Sequence, residues 1–104
     1  MPGEVVAFVT CPCDKAESLA SSIVESRLAA CVTIVAKVTS VYTWEGKLNK
    51  DSESLLIIKT NRKVYDAFEK KVKELHPYDV PEIICLPIEV GSPAYLDWLN
   101  SSIG

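Results

Sequence analysis

The chain has 104 residues, 48% hydrophobic and 24% charged, which suits one globular unit over residues 1–104 and leaves no room for a second. Eleven Lys plus Arg against fourteen Asp plus Glu give a net charge of -3, the reverse of the basic footprint that a nucleic-acid binder needs. Residues 1–4 (MPGE) lack a basic leader and no apolar run approaches the roughly 20 residues of a membrane span, so we expect a cytoplasmic protein without a membrane partner and with reduced thiols at Cys11, Cys13, Cys31 and Cys85.

Residues 4–10 (EVVAFVT) are rich in β-branched and aromatic side chains and stop at a proline, which predicts a buried first strand. Asp14 and Glu17 have the spacing of a capping box. Ala16, Leu19, Ala20, Ile23, Val24, Arg27 and Leu28 then repeat at helical spacing, predicting a helix through Ala30. From Cys31 to Trp44 the period changes to two, with Val32, Ile34, Ala36, Val38, Tyr42 and Trp44 on one predicted face. Fourteen residues at about 3.3 Å each reach roughly 46 Å, so this strand must bend, bulge or project beyond its own unit. Glu45-Gly46 predicts a tight hairpin, returning along Lys47–Thr60 into the sheet centre.

Thr60 or Asn61 can cap a second helix with a stripe of Val64, Ala67, Phe68, Val72 and Leu75, and Pro77 ends it at His76. Residues 81–90 (PEIICLPIEV) predict an edge strand interrupted by prolines, and Ser92-Pro93 opens a short last helix. The order β-α-β-β-α-β plus one helix predicts an α+β, ferredoxin-like fold, an antiparallel four-stranded sheet with two helices on one face. That fold hosts many activities, so function has to be argued from side chains.

Cys11 and Cys13 end the first strand two residues apart. They are either small packing residues or a thiolate pair pointing the same way for a soft metal such as copper or zinc. Cys31 and Cys85 are expected in the core. His76, the only histidine, either caps the second helix or joins those cysteines as a metal ligand. No nucleophile and base pair stands out, and no glycine-rich phosphate loop is present in the sequence, so neither an enzyme nor an organic cofactor is expected. Tyr42, Trp44, Tyr78, Tyr95 and Trp98 are large amphipathic side chains of the kind enriched at interfaces. A neighbouring copy is the natural cover for Tyr42 and Trp44 on a projecting strand.

Five stretches, residues 25–34 (ESRLAACVTI), 39–47 (TSVYTWEGK), 53–60 (ESLLIIKT), 76–83 (HPYDVPEI) and 95–99 (YLDWL), resemble the CutA divalent cation tolerance proteins. The resemblance implies a ferredoxin-like homotrimer, similar in arrangement to PII signalling proteins, with the long hairpins pairing between subunits and a role linked to copper and other divalent metal ions. It also implies a metal site including His76, with Cys11 or Cys13 standing in for a first-strand cysteine whose position Val9 occupies, and Leu75 replacing a second histidine. Many relatives have a proline-glycine break after Val35, where this chain has Ala36-Lys37. The alternative is a signalling or scaffold trimer holding a small ligand or partner protein in clefts lined by Tyr42, Trp44, Tyr78 and Glu82, with Trp98 among the interface residues.

Overall fold

A computed structural model describes residues 3–104. The elements run β1 (Glu4–Cys11), α1 (Ala16–Glu25), β2 (Cys31–Trp44), β3 (Lys47–Asn61), α2 (Tyr65–Leu75), β4 (Ile83–Pro87) and α3 (Pro93–Ser101), with 3-10 turns ahead of α1 and α2. All strand pairs are antiparallel in the order β2-β3-β1-β4, giving the expected α+β fold with β3 inside the sheet.

Alternation along β1 and β3 sets the two faces. Val5, Ala7, Val9 and Cys11 of β1, with Leu56 and Ile58 of β3, are buried. Ala7, Val9, Cys11, Leu56 and Ile58 pack against Leu19 and Ile23 of α1 and Phe68 and Val72 of α2. At one end of the sheet Leu99 of α3 and Ile103, just beyond it, pack on Ala30, Val64 and Ile88. The intervening residues face the other way. Phe8 pairs with Ile57 and Ile84, Val6 pairs with Leu86, and Val35 pairs with Leu55. Among the described residues α3 reaches one end of this apolar face, where Asn100 donates to Glu4 and Tyr95 meets Cys31, and Ile84 and Leu86 remain 52% exposed.

The long strand pair departs from simple alternation at one place. Register shifts between Val35, opposite Leu55, and Val38, opposite Glu53, so that Ala36 and Lys37 bulge out. Val32 and Ile34 therefore pack on the helix side, whereas Val38, Ser40, Tyr42 and Trp44 follow the open face; the single predicted stripe is corrected to two. The carbonyl freed at Ala36 accepts a hydrogen bond from Ser54 Oγ at 2.7 Å and one from Cys13 Sγ at 3.3 Å, which satisfies the bulge without a proline-glycine pair. β1 stops pairing with β3 at Ser54, so Val38–Trp44 and Lys47–Glu53 continue as a two-stranded ribbon. Glu45 (φ 50°) and Gly46 (φ 78°) close it with the paired positive φ angles of a type I′ turn.

Four more expectations are corrected. Helix α1 ends at Glu25 because Arg27 adopts φ 60°, with Arg27 N–H donating to Val24 O and Leu28 N–H to Ile23 O, a Schellman stop built on arginine instead of glycine. The Arg27 guanidinium donates to the Ser101 and Ile103 carbonyls, and Gly104 N–H donates to Arg27 O, which offsets the roughly 1–2 kcal/mol such a backbone costs. Asp14 caps nothing, since it lies in the 3-10 turn and α1 begins after Lys15 without a side-chain cap. β4 is only Ile83–Pro87. Cys85 is exposed on that edge strand instead of lying in the core, and Cys31 is half-buried. The Asn61 cap is present, accepting from Lys63 N–H at 3.1 Å.

Candidate functional site

Pro77 halts α2 and turns the chain back beneath the hairpin. His76, the C-cap of α2, is 7% exposed and inserts its ring against the end of β1. Tyr78 N–H donates to His76 Nδ1 at 3.1 Å, which leaves the proton on Nε2 to donate to Thr10 O at 2.8 Å. The imidazole thus pins the 76–82 loop to β1, and the Tyr78 ring lies 4.7 Å from it, centroid to centroid.

Above this pin is a cavity of about 660 Å³, formed where the ribbon leaves the body of the sheet. Tyr42 and Trp44 form its hairpin wall and Tyr78 and Val80 its loop wall, with Thr10 between them. Four carboxylates, Asp51, Glu53, Asp79 and Glu82, line it, and no lysine or arginine does. Tyr78 Oη donates to Glu53 Oε2 at 2.9 Å and Tyr42 Oη donates to Asp51 Oδ2. Glu53 is 5% exposed, and that tyrosine provides the one hydrogen bond found to its carboxylate among the described residues.

Burial, and then the Glu53 carboxylate, push the Tyr78 phenol up to about 12, and the hydrogen bond to Asp51 raises Tyr42. Burial, with Glu53 behind it, pushes the Cys11 thiol up to about 11. Each group holds its proton more tightly folded than unfolded, so its contribution is complete below the unfolded pKa and is lost as pH rises through the folded one. The midpoint of denaturant unfolding is expected to fall as pH climbs from 9 to about 12. Cys11→Ala should flatten the 9–11 part and Tyr78→Phe the 10–12 part.

The structure brings Tyr42, Trp44, Tyr78 and Glu82 to this one cavity. Trp98 lies elsewhere, on α3, its ring 5.5 Å from that of Tyr95. Cys11 and Cys13 do not point the same way: the strand ends at Cys11, which is buried, and the turn after Pro12 leaves Cys13 exposed. Both His76 nitrogens are committed to hydrogen bonds, and among the described residues no three His, Cys, Asp or Glu side chains are grouped to hold a metal ion. Within one chain, then, these residues do not fit a metal centre. Asp51, Glu53 and Asp79 were not legible as cavity residues, since carboxylates near turns ordinarily read as solvated. The available signal was Glu53 itself, a charge at the head of the apolar run 55–58 (LLII).

The model of the CutA1 divalent ion tolerance protein family matches residues 5–102. Mouse "Protein CutA" is 48% identical over 102 residues, 96% of this chain and 58% of that protein, so the chain spans well under two thirds of that relative's length. "Divalent-cation tolerance protein CutA" of Thermus thermophilus is 46% identical over 102 residues, 97% of this chain and 99% of that one. Among solved structures, CutA1 from Oryza sativa superposes with a TM-score of 0.96 at 48% identity, covering 99% of this chain and 95% of that one. Among the described residues no helix is long and apolar enough to cross a membrane.

Proposed function

The chain belongs to the CutA1 divalent ion tolerance family, and from that premise we propose that it works as a cytoplasmic, non-enzymatic homotrimer in divalent-cation tolerance. The observation that carries the assembly is the ribbon from Val38 to Glu53, which leaves β1 behind and has a single strand partner for each of its strands. An isolated two-stranded ribbon is marginal in water. Its edges, with Val41, Trp44 and Leu48 at 57%, 57% and 70% exposure, are suited to the sheet edges of sister copies. The open apolar face beside it supplies the second contact, since burying it removes Phe8, Ile57, Ile84 and Leu86 from water.

Copper or another divalent ion is the load this reading gives the assembly. We assign direct coordination to ligands drawn from more than one copy, with Cys13 as the thiol, since it is exposed and gives up only its weak bond to the Ala36 carbonyl, whereas His76 is buried with both nitrogens bonded and the Cys11 thiol resists ionisation. Light scattering on the purified protein should give three times 11.4 kDa, about 34 kDa. Zinc or copper(I) titration under reducing conditions should then show fewer than one ion per chain, with the stoichiometry lost in Cys13→Ser. A stable 11.4 kDa species at micromolar concentration overturns the assembly.

A further inference from the structure

Cys11-Pro12-Cys13 is left half used by the metal assignment, which draws on Cys13 alone. The two side chains leave the backbone differently, yet the fold brings both thiols to one spot. Cys11 closes β1 opposite Ser54, and directly opposed residues share a face of the sheet. Ser54 Oγ donates to Ala36 O at 2.7 Å, and Cys13 Sγ donates to the same carbonyl at 3.3 Å. Cys13 is thereby folded back over the strand end, next to the residue that Cys11 faces. Their nearness registers in Cys11, whose thiol is pushed up to about 11 by burial, then by Glu53, then by Cys13 itself. Cys31 pairs with Lys59 and Cys85 with Ala7, so neither has a thiol across from it.

Backbone geometry permits a bond between them. Pro12, at φ -57° and ψ 142°, is polyproline-II backbone, in which a rise of about 3.1 Å at three residues per turn puts the α-carbons on either side about 6.6 Å apart. A disulfide spans at most about 6.8 Å between α-carbons, so the pair lies just inside the limit, where the bond is readily reduced again. Exposure divides the roles. Cys13 is open to solvent and Cys11 is fully buried, so an external reagent meets Cys13, and Cys11 is reached from Cys13.

We infer that Cys11-Pro12-Cys13 is a reversible dithiol switch oxidised by a low-molecular-weight disulfide, RS–SR. The Cys13 thiolate attacks RS–SR, forming a mixed disulfide on Cys13 and releasing RS⁻, which takes up the Cys13 proton. The Cys11 sulfur then attacks Cys13 Sγ, the bond from Cys13 to SR breaks, and the second RS⁻ leaves with the Cys11 proton. Two thiols are oxidised to one disulfide, and RS–SR is reduced to two RSH. The high pKa of Cys11 slows the second step about tenfold, since about a hundredfold less thiolate is met by about tenfold greater nucleophilicity. Intramolecular attack offsets this through an effective concentration far above that of any free thiol. The switch goes beyond the metal assignment and does not rest on it; oxidation withdraws the thiol offered to an ion.

The probe is bis(2-hydroxyethyl) disulfide, uncharged because Asp14 adjoins Cys13, added to reduced, chelator-treated protein. After acid quench, denaturation, alkylation and trypsin, residues 1–15 emerge as one peptide that holds Cys11 and Cys13 and neither other cysteine. That peptide should be unalkylated and lighter by two hydrogens, and should regain both thiols on dithiothreitol. It should form at least about tenfold faster than any adduct at Cys31 or Cys85. Cys11→Ala should arrest the reaction at the mixed disulfide on Cys13. Cys13→Ser should leave Cys11 unreacted, and it serves as the second variant should Cys11→Ala fail to fold. A wild-type chain that keeps the adduct on Cys13 overturns the inference. So does a pair of chains linked through Cys13, a Cys13→Ser variant in which Cys11 still reacts, or a 1–15 peptide that retains both thiols. A closed bond between Cys11 and Cys13 in a chain that binds no ion when reduced sinks the metal assignment alone. Ion binding that is lost in Cys13→Ser, without any closure of the bond in the wild type, sinks this inference alone.

Discussion

Replacing Ile84 and Leu86 together by aspartate is expected to convert the proposed 34 kDa trimer, three times 11.4 kDa, into single chains. Both side chains project from β4 on the sheet face opposite α1 and α2, paired with Phe8 and Val6. Each is already 52% exposed in one copy, so the chain's own core loses little by the change. In the trimer each would be covered, and because each is already half-buried the remaining gain is about half of the 1.5–3 kcal/mol that full burial is worth. Aspartate forfeits that gain and adds an unpaired charge to an apolar contact. Two such losses per chain should raise the dissociation constant by at least about a hundredfold, at 1.4 kcal/mol per tenfold. Light scattering across a dilution series reads the mass, and far-ultraviolet circular dichroism verifies that the dissociated chain keeps its secondary structure. A double variant that remains at full mass would place the contact elsewhere.

His76→Ala is expected to act on stability and not on metal binding. The ring is buried and joins two backbone groups, Thr10 O and Tyr78 N–H, that lose their side-chain partner when it is removed. Leaving such groups unsatisfied costs about 1–3 kcal/mol apiece, and the site can relax only in part, so a loss of about 2–3 kcal/mol follows. Denaturant titration at fixed chain concentration measures it. Zinc or copper content per chain should be unchanged in the folded variant. A variant with wild-type stability but diminished metal content would restore His76 as a ligand and reverse the reading of its hydrogen bonds.

The same residues show which parts of the fold could be read from sequence. Cys31–Trp44 and the Glu45-Gly46 turn were legible because an alternating period and a turn residue tolerant of positive φ are local properties. The bulge was not. Val32, Ile34, Ala36, Val38, Tyr42 and Trp44 all occupy even positions, and nothing in that spacing reveals that Ala36 and Lys37 are skipped in the pairing with β3. The bulge depends on Ser54, eighteen residues away, to satisfy the freed carbonyl. The end of helix α1 is hidden from the sequence for a related reason. Leu28, Ala29 and Ala30 are apolar enough to continue it, and the stop rests on an arginine whose left-handed backbone is held by the carbonyls of the C-terminal segment. Four cavity residues, Tyr42, Trp44, Tyr78 and Glu82, were identifiable from amphipathic chemistry and from likeness to a family. Glu53 owes its burial to the loop that His76 ties down, a tertiary fact with no local signature.

The ribbon also makes dilution a selective stress. Its lower part draws stability from Glu53 and Tyr78, but in the proposed trimer the tip from Val41 to Lys50 leans on neighbours that mass action would remove as the concentration falls. Fraying should therefore begin at Glu45-Gly46 while the body held by Phe68 and Ile23 stays closed. Trypsin added to ever more dilute samples should nick first after Lys47 and Lys50, long before it opens the remainder of the chain.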